Sequence, residues 1–354
     1  MALLHTRVLL ALIKSIMGEP LFDPKADSPL SDVVLLAKRN RYAGFDASRL
    51  LPQILSSQGT LLRYEQLGTG ANAFDHLVFR VYLRHGSRVI CRINTDSEVA
   101  EHFSKEAKLY GLWRAAGIPS PEVYEVKLRT SSAGFDYMLL QSVGTSDLEK
   151  YLTERREATL DYAHKAGVFL ARLHVIKLPE FGMVQLVGDT LYGEQASWYE
   201  AITLRLADTL EYLTAQSLLP PNQVAAITDI FIRYKSLLSI PNGVTLHGDY
   251  HNANIIIDET KRTIVAAVDL TQAKAGDPLY DLAFYRTYVT PEVFATFCNG
   301  YFEGTLRPDD FEKKISLYSL RIYLSKAKLR KRFGYEDRIP AAIDGINQSL
   351  RHLL

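Results

Sequence analysis

From Leu61 to Gln141 the apolar residues fall mostly in short strand-like runs around one helical stretch, and from about Asp147 long helical patterns follow. Leu61–Leu67, Phe74–Leu83 and Arg88–Asn94 are rich in β-branched and aromatic residues and predict three strands, joined through Gly68/Gly70 and through Arg84–Ser87. Thr95-Asp96-Ser97-Glu98 reads as a capping box that opens a helix, which Gly117 and Pro119 close. Strands near Glu122–Leu128 and Phe135–Gln141 follow, and then helical patterns interrupted only by a strand pair over 255–268. Upstream, residues 1–60 read as short helical pieces separated by Gly18, Pro20 and Pro24. This order predicts an α+β fold of two lobes: an N-terminal helical extension (1–60), a small β-rich lobe (61–143) and a larger, mainly helical lobe (144–354).

Composition narrows the class little: 354 residues, 47% apolar and 23% charged, are ordinary for a folded protein. A net charge of +1 offers no basis for a nucleic-acid or membrane partner. Two distant cysteines, Cys91 and Cys298, make no disulfide framework and favour a reducing, cytoplasmic setting. The apolar start, Met1 to Met17, carries Arg7 and Lys14 around its longest uninterrupted run. It matches neither a spanning helix of about 20 apolar residues nor a signal core of about 7–15.

Two charges interrupt apolar patterns in the small lobe. Val99, Phe103, Glu106, Tyr110 and Trp113 recur at helical spacing, which turns the Glu106 carboxylate inward. Arg92 interrupts the strand Val89-Ile90-Cys91-Arg92-Ile93. A buried charge without a partner costs several kcal/mol, so each accounts for the other if they meet, as a functional pair or as a plain interior ion pair.

His247-Gly248-Asp249-Tyr250-His251-Asn252-Ala253-Asn254 precedes a hairpin, with Ile255–Asp258 and Thr263–Val268 as strands. A turn centred between Lys261 and Arg262 sets Ile255 opposite Val268, so Asn254 and Asp269 emerge side by side at the open end. An amide oxygen and a carboxylate converging there suit a hard cation such as Mg²⁺. Asp249, five residues before Asn254, is placed to accept a proton from an attacking hydroxyl. Metal, positioning and a base are what phosphoryl transfer requires. A second reading takes His247, Asp249 and His251 as a hydrolytic metal trio, leaving Asn254 and Asp269 without a role. Gly68-Thr69-Gly70-Ala71-Asn72 suits either a phosphate-draping loop or a simple hairpin turn.

His-Gly-Asp-x-x-x-x-Asn, Val268-Asp269 and Gly276-Asp277-Pro278-Leu279-Tyr280-Asp281-Leu282-Ala283 resemble the aminoglycoside phosphotransferase family, of protein-kinase-like fold. Gly117-Ile118-Pro119-Ser120-Pro121-Glu122-Val123 and Ala171-Arg172-Leu173-His174 also match. Ile90–Asn94, Gly182 and Ser197-Trp198 give it the flavour of hygromycin B phosphotransferases. The resemblance implies a small-molecule kinase that uses ATP (or GTP) and Mg²⁺ on a hydroxylated acceptor such as an aminoglycoside, a sugar or an amino alcohol. It makes Asp249 the catalytic base and Asn254 and Asp269 the metal ligands. Arg92, held by Glu106, would meet the α/β-phosphates, and Gly68 and Gly70 would lie over them. Backbone groups around Gln141 and Val143 would meet the purine, and His247 and Asp281 would brace the catalytic loop. Arg92 stands where many members have lysine, and Thr271 where many have an acidic residue.

A nucleotide-binding regulatory module without turnover is the alternative within this fold. For the acceptor side, Glu303, Asp309, Asp310 and Glu312 offer acidic character, while Lys326, Lys328, Arg330, Lys331 and Arg332 read as a solvated basic helix face.

Overall fold

Strands β1 (Leu61–Leu67), β2 (Leu77–Leu83), β3 (Arg88–Asn94), β4 (Val123–Lys127) and β5 (Asp136–Gln141) form one antiparallel sheet, in the order β1-β2-β3-β5-β4. The structure, a computed structural model, describes residues 21–38, 42, 44–67, 76–94, 102–129 and 135–354. The apolar stretch to Met17, the glycine loop with Gly68 and Gly70, the Thr95–Glu98 box and Val99 lie outside them.

Alternation along the strands divides this sheet between two cores. Met138 and Leu140 pack with Phe103, Leu109, Tyr110 and Trp113 of the helix His102–Ala115. Tyr137 and Leu139 pack on the opposite face with Leu51, Ile54 and Leu55, at and just beyond the helix Ala47–Ile54. A helix covers each face, so β5 is buried from Asp136 to Leu140. Arg92 pairs with Met138 across β3 and β5, and its side chain meets the helix His102–Ala115.

The larger part holds a second sheet that the sequence reading did not anticipate. β7 (Lys177–Leu178), β8 (Phe181–Val187), β9 (Thr190–Gln195), β10 (Gly243–Leu246) and β13 (Lys274–Gly276) run in the order β7-β10-β13-β8-β9. The expectation that only residues 255–268 break the helical pattern is therefore corrected. β8 is a nearly continuous apolar run, which periodicity alone cannot assign, and β7, β10 and β13 are only two to four residues long.

β11 (Ile255–Asp258) and β12 (Thr263–Ala267) form the expected hairpin, joined on its other edge by β6 (Ser146–Asp147). Its register differs by one residue. Ile255 pairs with Ala267 rather than Val268, because Asp258 pairs with Thr263 and so centres the turn one residue earlier than expected, and the irregularity between Ile256 and Ile257 makes up only part of the offset.

Helices Leu148–Glu154, Thr159–Leu173, Trp198–Thr203, Leu206–Ala215, Pro221–Arg233, Leu279–Arg286, Pro291–Tyr301, Phe311–Arg332 and Ile339–Leu353 build most of the rest of this part. Thr159–Leu173 and Pro291–Tyr301 cross at paired glycines. A Cβ on Gly167 would lie 2.0 Å from the Phe297 carbonyl oxygen, and one on Gly300 2.0 Å from that of His164. Beside this crossing, His174 Nδ1 lies 2.8 Å from the Tyr301 hydroxyl.

The basic run of Phe311–Arg332 is not a solvated face, because Lys326, Lys328 and Arg332 are buried. Lys328 Nζ donates to Asp27 at 2.7 Å, and Arg332 donates to the carbonyls of Ala26 and Ser28 at 2.8 Å each. The segment from Phe22 to Leu35 is thereby fastened to this helix, with Phe22 beneath the Arg321 guanidinium at 3.5 Å. Among the described residues no helix is long and apolar enough to cross a membrane.

Candidate active site

β10 ends at Leu246, and the chain then turns sharply through His247 to Asn254 before entering β11. Gly248 makes that turn at φ +79°, where a Cβ would come within 1.9 Å of the Gln272 carbonyl oxygen. The turn is held from below by Asp281, which is fully buried. Its two carboxylate oxygens accept the His247 N–H at 2.7 Å and the Gly248 N–H at 2.9 Å. His174 Nε2, 3.1 Å away, completes the surroundings of Asp281.

The same network fixes the tautomer of His247. The Asp249 N–H donates to Nδ1 at 3.3 Å, so Nε2 carries the hydrogen and donates to the Val268 carbonyl at 3.0 Å. Burial holds the His247 pKa below its ordinary value, consistent with a neutral ring. His247 is thus a brace between two loops and cannot offer a free nitrogen to a metal. The metal trio of His247, Asp249 and His251 is accordingly not formed. Among the described residues no three His, Cys, Asp or Glu side chains gather in a metal-holding geometry.

Asp249 remains partly open to solvent while touching both its neighbours. The Asn254 Nδ2 group donates to its carbonyl at 2.9 Å and to its Oδ2 at 3.3 Å, and His251 Nε2 lies 3.6 Å from Oδ1. Burial alone would raise the Asp249 pKa, but His251 and Lys25 outweigh it and hold the carboxylate below its usual range. The amide contacts direct Asn254 Nδ2 toward Asp249, which leaves Oδ1 as the acceptor atom of the side chain.

Asp269 follows β12 by two residues and adopts φ +67°, a left-handed conformation uncommon for a residue with a Cβ. The Val268 N–H donates to the Asn254 carbonyl at 2.9 Å, so the two backbones run side by side here despite the shifted register. Asp269 Oδ1 accepts from Arg92 Nη2 at 3.2 Å and from the Thr271 hydroxyl at 3.1 Å. Burial raises the Asp269 pKa, yet the positive charge of Arg92 reverses that and keeps the group firmly ionised. Thr271, the departure from the commoner acidic residue, therefore supports Asp269 by donating to it.

Arg92 and Glu106 meet as their sequence positions required, through Arg92 Nη1 and Glu106 Oε1. Burial disfavours the guanidinium charge, but Glu106 and Asp269 together raise the Arg92 pKa above its ordinary value. Glu106 Oε1 also accepts from the Tyr110 hydroxyl and from the Leu270 N–H, each at 3.1 Å. One buried carboxylate oxygen thus joins β3, the helix His102–Ala115 and the segment that carries Asp269. The Leu270 contact was invisible in the sequence, since a backbone N–H leaves no residue signature. His76, whose Nδ1 lies 3.1 Å from Arg92 Nη2, was also missed. Its position just before β2 was the available signal.

At the end of β5, Gln141 is committed to β4. Its N–H donates to the Glu122 carbonyl at 2.8 Å, and its side-chain oxygen accepts the Glu122 N–H at 3.3 Å. Gly68 and Gly70, lying outside the described residues, have no assigned geometry.

The donor set fits a hard cation: one ionised carboxylate and one amide oxygen, on adjoining backbones beside a second carboxylate. A fixed cation stands opposite them in Arg92. Such a site can neutralise phosphate charge and accept a proton from a hydroxyl.

Comparisons with known proteins agree with this geometry. APH(4)-Ia, an aminoglycoside phosphotransferase, shares 20% identity and superposes with a TM-score of 0.67, covering 86% of this chain and 99% of its own. A thermostable mutant of APH(4)-Ia, in ternary complex with ADP and hygromycin B, gives 19% and 0.65, covering 86% and 98%. Macrolide 2'-phosphotransferase MphH from Brachybacterium faecium gives 18% and 0.55, covering 84% and 98%. At these identities the likeness is one of fold, and the protein-kinase-like α+β architecture is shared. The sequence profile of the phosphotransferase enzyme family matches residues 70–313, more than half of the chain. The protein belongs to the phosphotransferase enzyme family, whose members transfer phosphate to a hydroxyl group.

Proposed function

We propose that the protein transfers the γ-phosphate of ATP or GTP to the hydroxyl of a small acceptor, with Asp249 as base. The observation that carries this reading is the Asp249–Asn254 contact beside Asp269, because it joins a proton acceptor to a cation-binding pair on one braced loop. Asn254 Oδ1 and the Asp269 carboxylate would hold Mg²⁺, which supplies charge neutralisation to the phosphates when bound.

Asp249 takes the hydroxyl proton as the acceptor oxygen bonds to the γ-phosphorus. The bond from that phosphorus to the β–γ bridging oxygen breaks, and nucleoside diphosphate leaves. Ionisation of Asp249, kept by His251 and Lys25, leaves it ready to accept that proton. Arg92 orients the phosphates through its planar fork, and Glu106 fixes that fork in place. His247 and Asp281 hold the loop so that Asp249 faces the acceptor rather than searching for it. The backbone around Gln141 and Val143 meets the purine. Among the described residues no hydrogen bond engages the Val143 N–H or carbonyl, which suits that role. Gly68 and Gly70 would lie over the phosphates.

Thermostable mutants of APH(4)-Ia hold hygromycin B together with ADP or AMP-PNP, which supports a nucleotide donor and a hydroxylated acceptor here. Calorimetry of ATP with and without Mg²⁺ tests the assignment. Wild type should bind ATP at least tenfold more tightly with Mg²⁺, and Asp269→Ala should lose that difference. An unchanged Mg²⁺ dependence in Asp269→Ala would remove the metal role from this residue.

A further inference from the structure

Two buried lysines near Asp249 have no carboxylate partner. Lys274 is 3% exposed and Lys326 is 9% exposed. Among the described residues no carboxylate oxygen comes within the 4.0 Å of an ion pair with either ammonium. Lys274 Nζ donates to the Gln272 carbonyl at 3.3 Å and lies against the rings of Phe22 and Tyr280, at 5.3 and 5.7 Å. Lys326 Nζ donates to the Thr287 hydroxyl and sits 3.6 Å over the Tyr288 ring.

A continuous stack ties Lys326 to the proposed base. Tyr288 stacks on His251 with ring centroids 4.6 Å apart, and His251 Nε2 lies 3.6 Å from Asp249 Oδ1. Lys274 lies in β13, five residues after Asp269. Asp249 acts electrostatically on both ammonium groups, and Lys25 of the N-terminal segment adds a third positive charge acting on Asp249. The other carboxylates that act on Lys274, Asp23 and Asp281, are already engaged. Asp23 accepts the N–H groups of Lys25 and Ala26, and Asp281 those of His247 and Gly248.

Keeping an ammonium buried without an anion is costly, and burial pushes Lys274 down to about 8 and Lys326 to about 7. A polycationic acceptor would be repelled by them, and an anionic group would supply the missing partner.

Resting on the kinase reading above, we infer that the acceptor is a small hydroxylated anion, a hydroxy carboxylate or a sugar phosphate, whose negative group is held by Lys274 and Lys326 while its hydroxyl faces Asp249. The phosphoryl step is the one already written. Phe22, whose ring lies against Lys274, and Lys25, whose charge acts on Asp249, belong to the N-terminal segment, which lies outside the family match.

The test has two readouts. The first is acceptor-dependent ADP formation with hydroxy carboxylic acids, sugar monophosphates, the matching amides and free sugars, and aminoglycosides. One anionic arm should exceed its uncharged counterpart at least tenfold in kcat/KM, and which arm it is separates carboxylate from phosphate. Lys274→Met and Lys326→Met should each raise the acceptor KM about tenfold while leaving the KM for ATP within twofold; Lys→Gln versions serve if a Met variant is insoluble. Turnover of aminoglycosides, or equal turnover of charged and uncharged acceptors, would overturn the inference and leave the kinase reading standing.

The second readout needs no turnover. Malate and inorganic phosphate are added separately to the protein with AMP-PNP bound, and the midpoint of thermal unfolding is followed. At least one should raise it in wild type and not in the Lys274→Met/Lys326→Met double variant. No difference between the two proteins would sink the anion site. The reverse failure is equally distinct: a selective rise with no ADP formed from any acceptor would keep the site and remove the kinase reading.

Discussion

Arg92 Nη2 and Asp269 Oδ1 lie 3.2 Å apart although 177 positions separate them in the chain. One belongs to β3 of the first sheet and the other to the segment after the β11–β12 hairpin. Glu106 reinforces the join by accepting from both Arg92 and the Leu270 N–H. The phosphate-facing cation and the metal-facing carboxylate of the proposed site are therefore one electrostatic unit, positioned before any nucleotide arrives.

Arg92→Ala should weaken ATP binding at least tenfold by calorimetry while changing acceptor affinity little. It should also lower unfolding stability by about 3–5 kcal/mol, since Glu106 would stay buried without its cation. Arg92→Lys keeps the charge but not the fork, so its loss should be smaller. The double change Arg92→Met with Glu106→Leu should restore stability only in part. Leu270 N–H and the Tyr110 hydroxyl would lose their acceptor, at about 1–3 kcal/mol for each buried group. Denaturant unfolding of the four proteins checks the order.

Asp281→Asn should uncouple loop support from nucleotide binding. An amide cannot accept both the His247 and Gly248 N–H groups through equivalent oxygens, so one donor is left unpaired at about 1–3 kcal/mol. Turnover should fall at least tenfold with ATP affinity within threefold of wild type. Turnover unchanged beside a clear stability loss would make Asp281 structural only.

Gly248→Ala tests the turn itself. The new methyl would meet the Gln272 carbonyl at 1.9 Å, and φ +79° adds strain. Gly86→Ala is the control, with φ +96° but nothing within 4 Å. The control should lose only about 1–2 kcal/mol from backbone strain. Gly248→Ala should lose more and should lose turnover with it.

Lys326 gives a pH signature. An unfolded lysine titrates near 10.4, and the folded group near 7, so between those values the unfolded chain binds the extra proton. Stability must then rise with pH through that window. Without an anionic ligand, Lys326→Met should be more stable than wild type at pH 7, and the gap should narrow toward pH 10. Parallel denaturation curves with a constant gap would show that Lys326 is not held near neutrality.

Much of this was legible from residue types. Arg92 and Glu106 stood out because each broke an apolar pattern, and burial leaves such charges few ways to be satisfied. The strands Leu61–Leu67 and Arg88–Asn94 matched their predicted ends because turn formers bound them, Gly68 after the first and Arg84–Ser87 before the second. The hairpin register slipped by one residue, since the turn centres between Thr260 and Lys261 rather than between Lys261 and Arg262, and the polar run Glu259–Arg262 does not mark its own centre. The β8–β9 hairpin was missed because Phe181–Val187 is apolar on both faces, and a doubly buried strand has no alternation to read. The burial of Lys326 and Lys328 could not be foreseen either. A lysine run looks solvated until the N-terminal segment and the rings of Phe284 and Tyr288 are seen to cover it.

The central claim is that Asp249 accepts the proton of an acceptor hydroxyl. The direct measurement is acceptor-dependent ADP formation by Asp249→Asn, with ATP binding followed on the same samples. A positioned base contributes about 10²–10⁴ in rate, so turnover should fall at least a hundredfold while ATP affinity stays within threefold of wild type. Turnover within threefold of wild type would contradict the account.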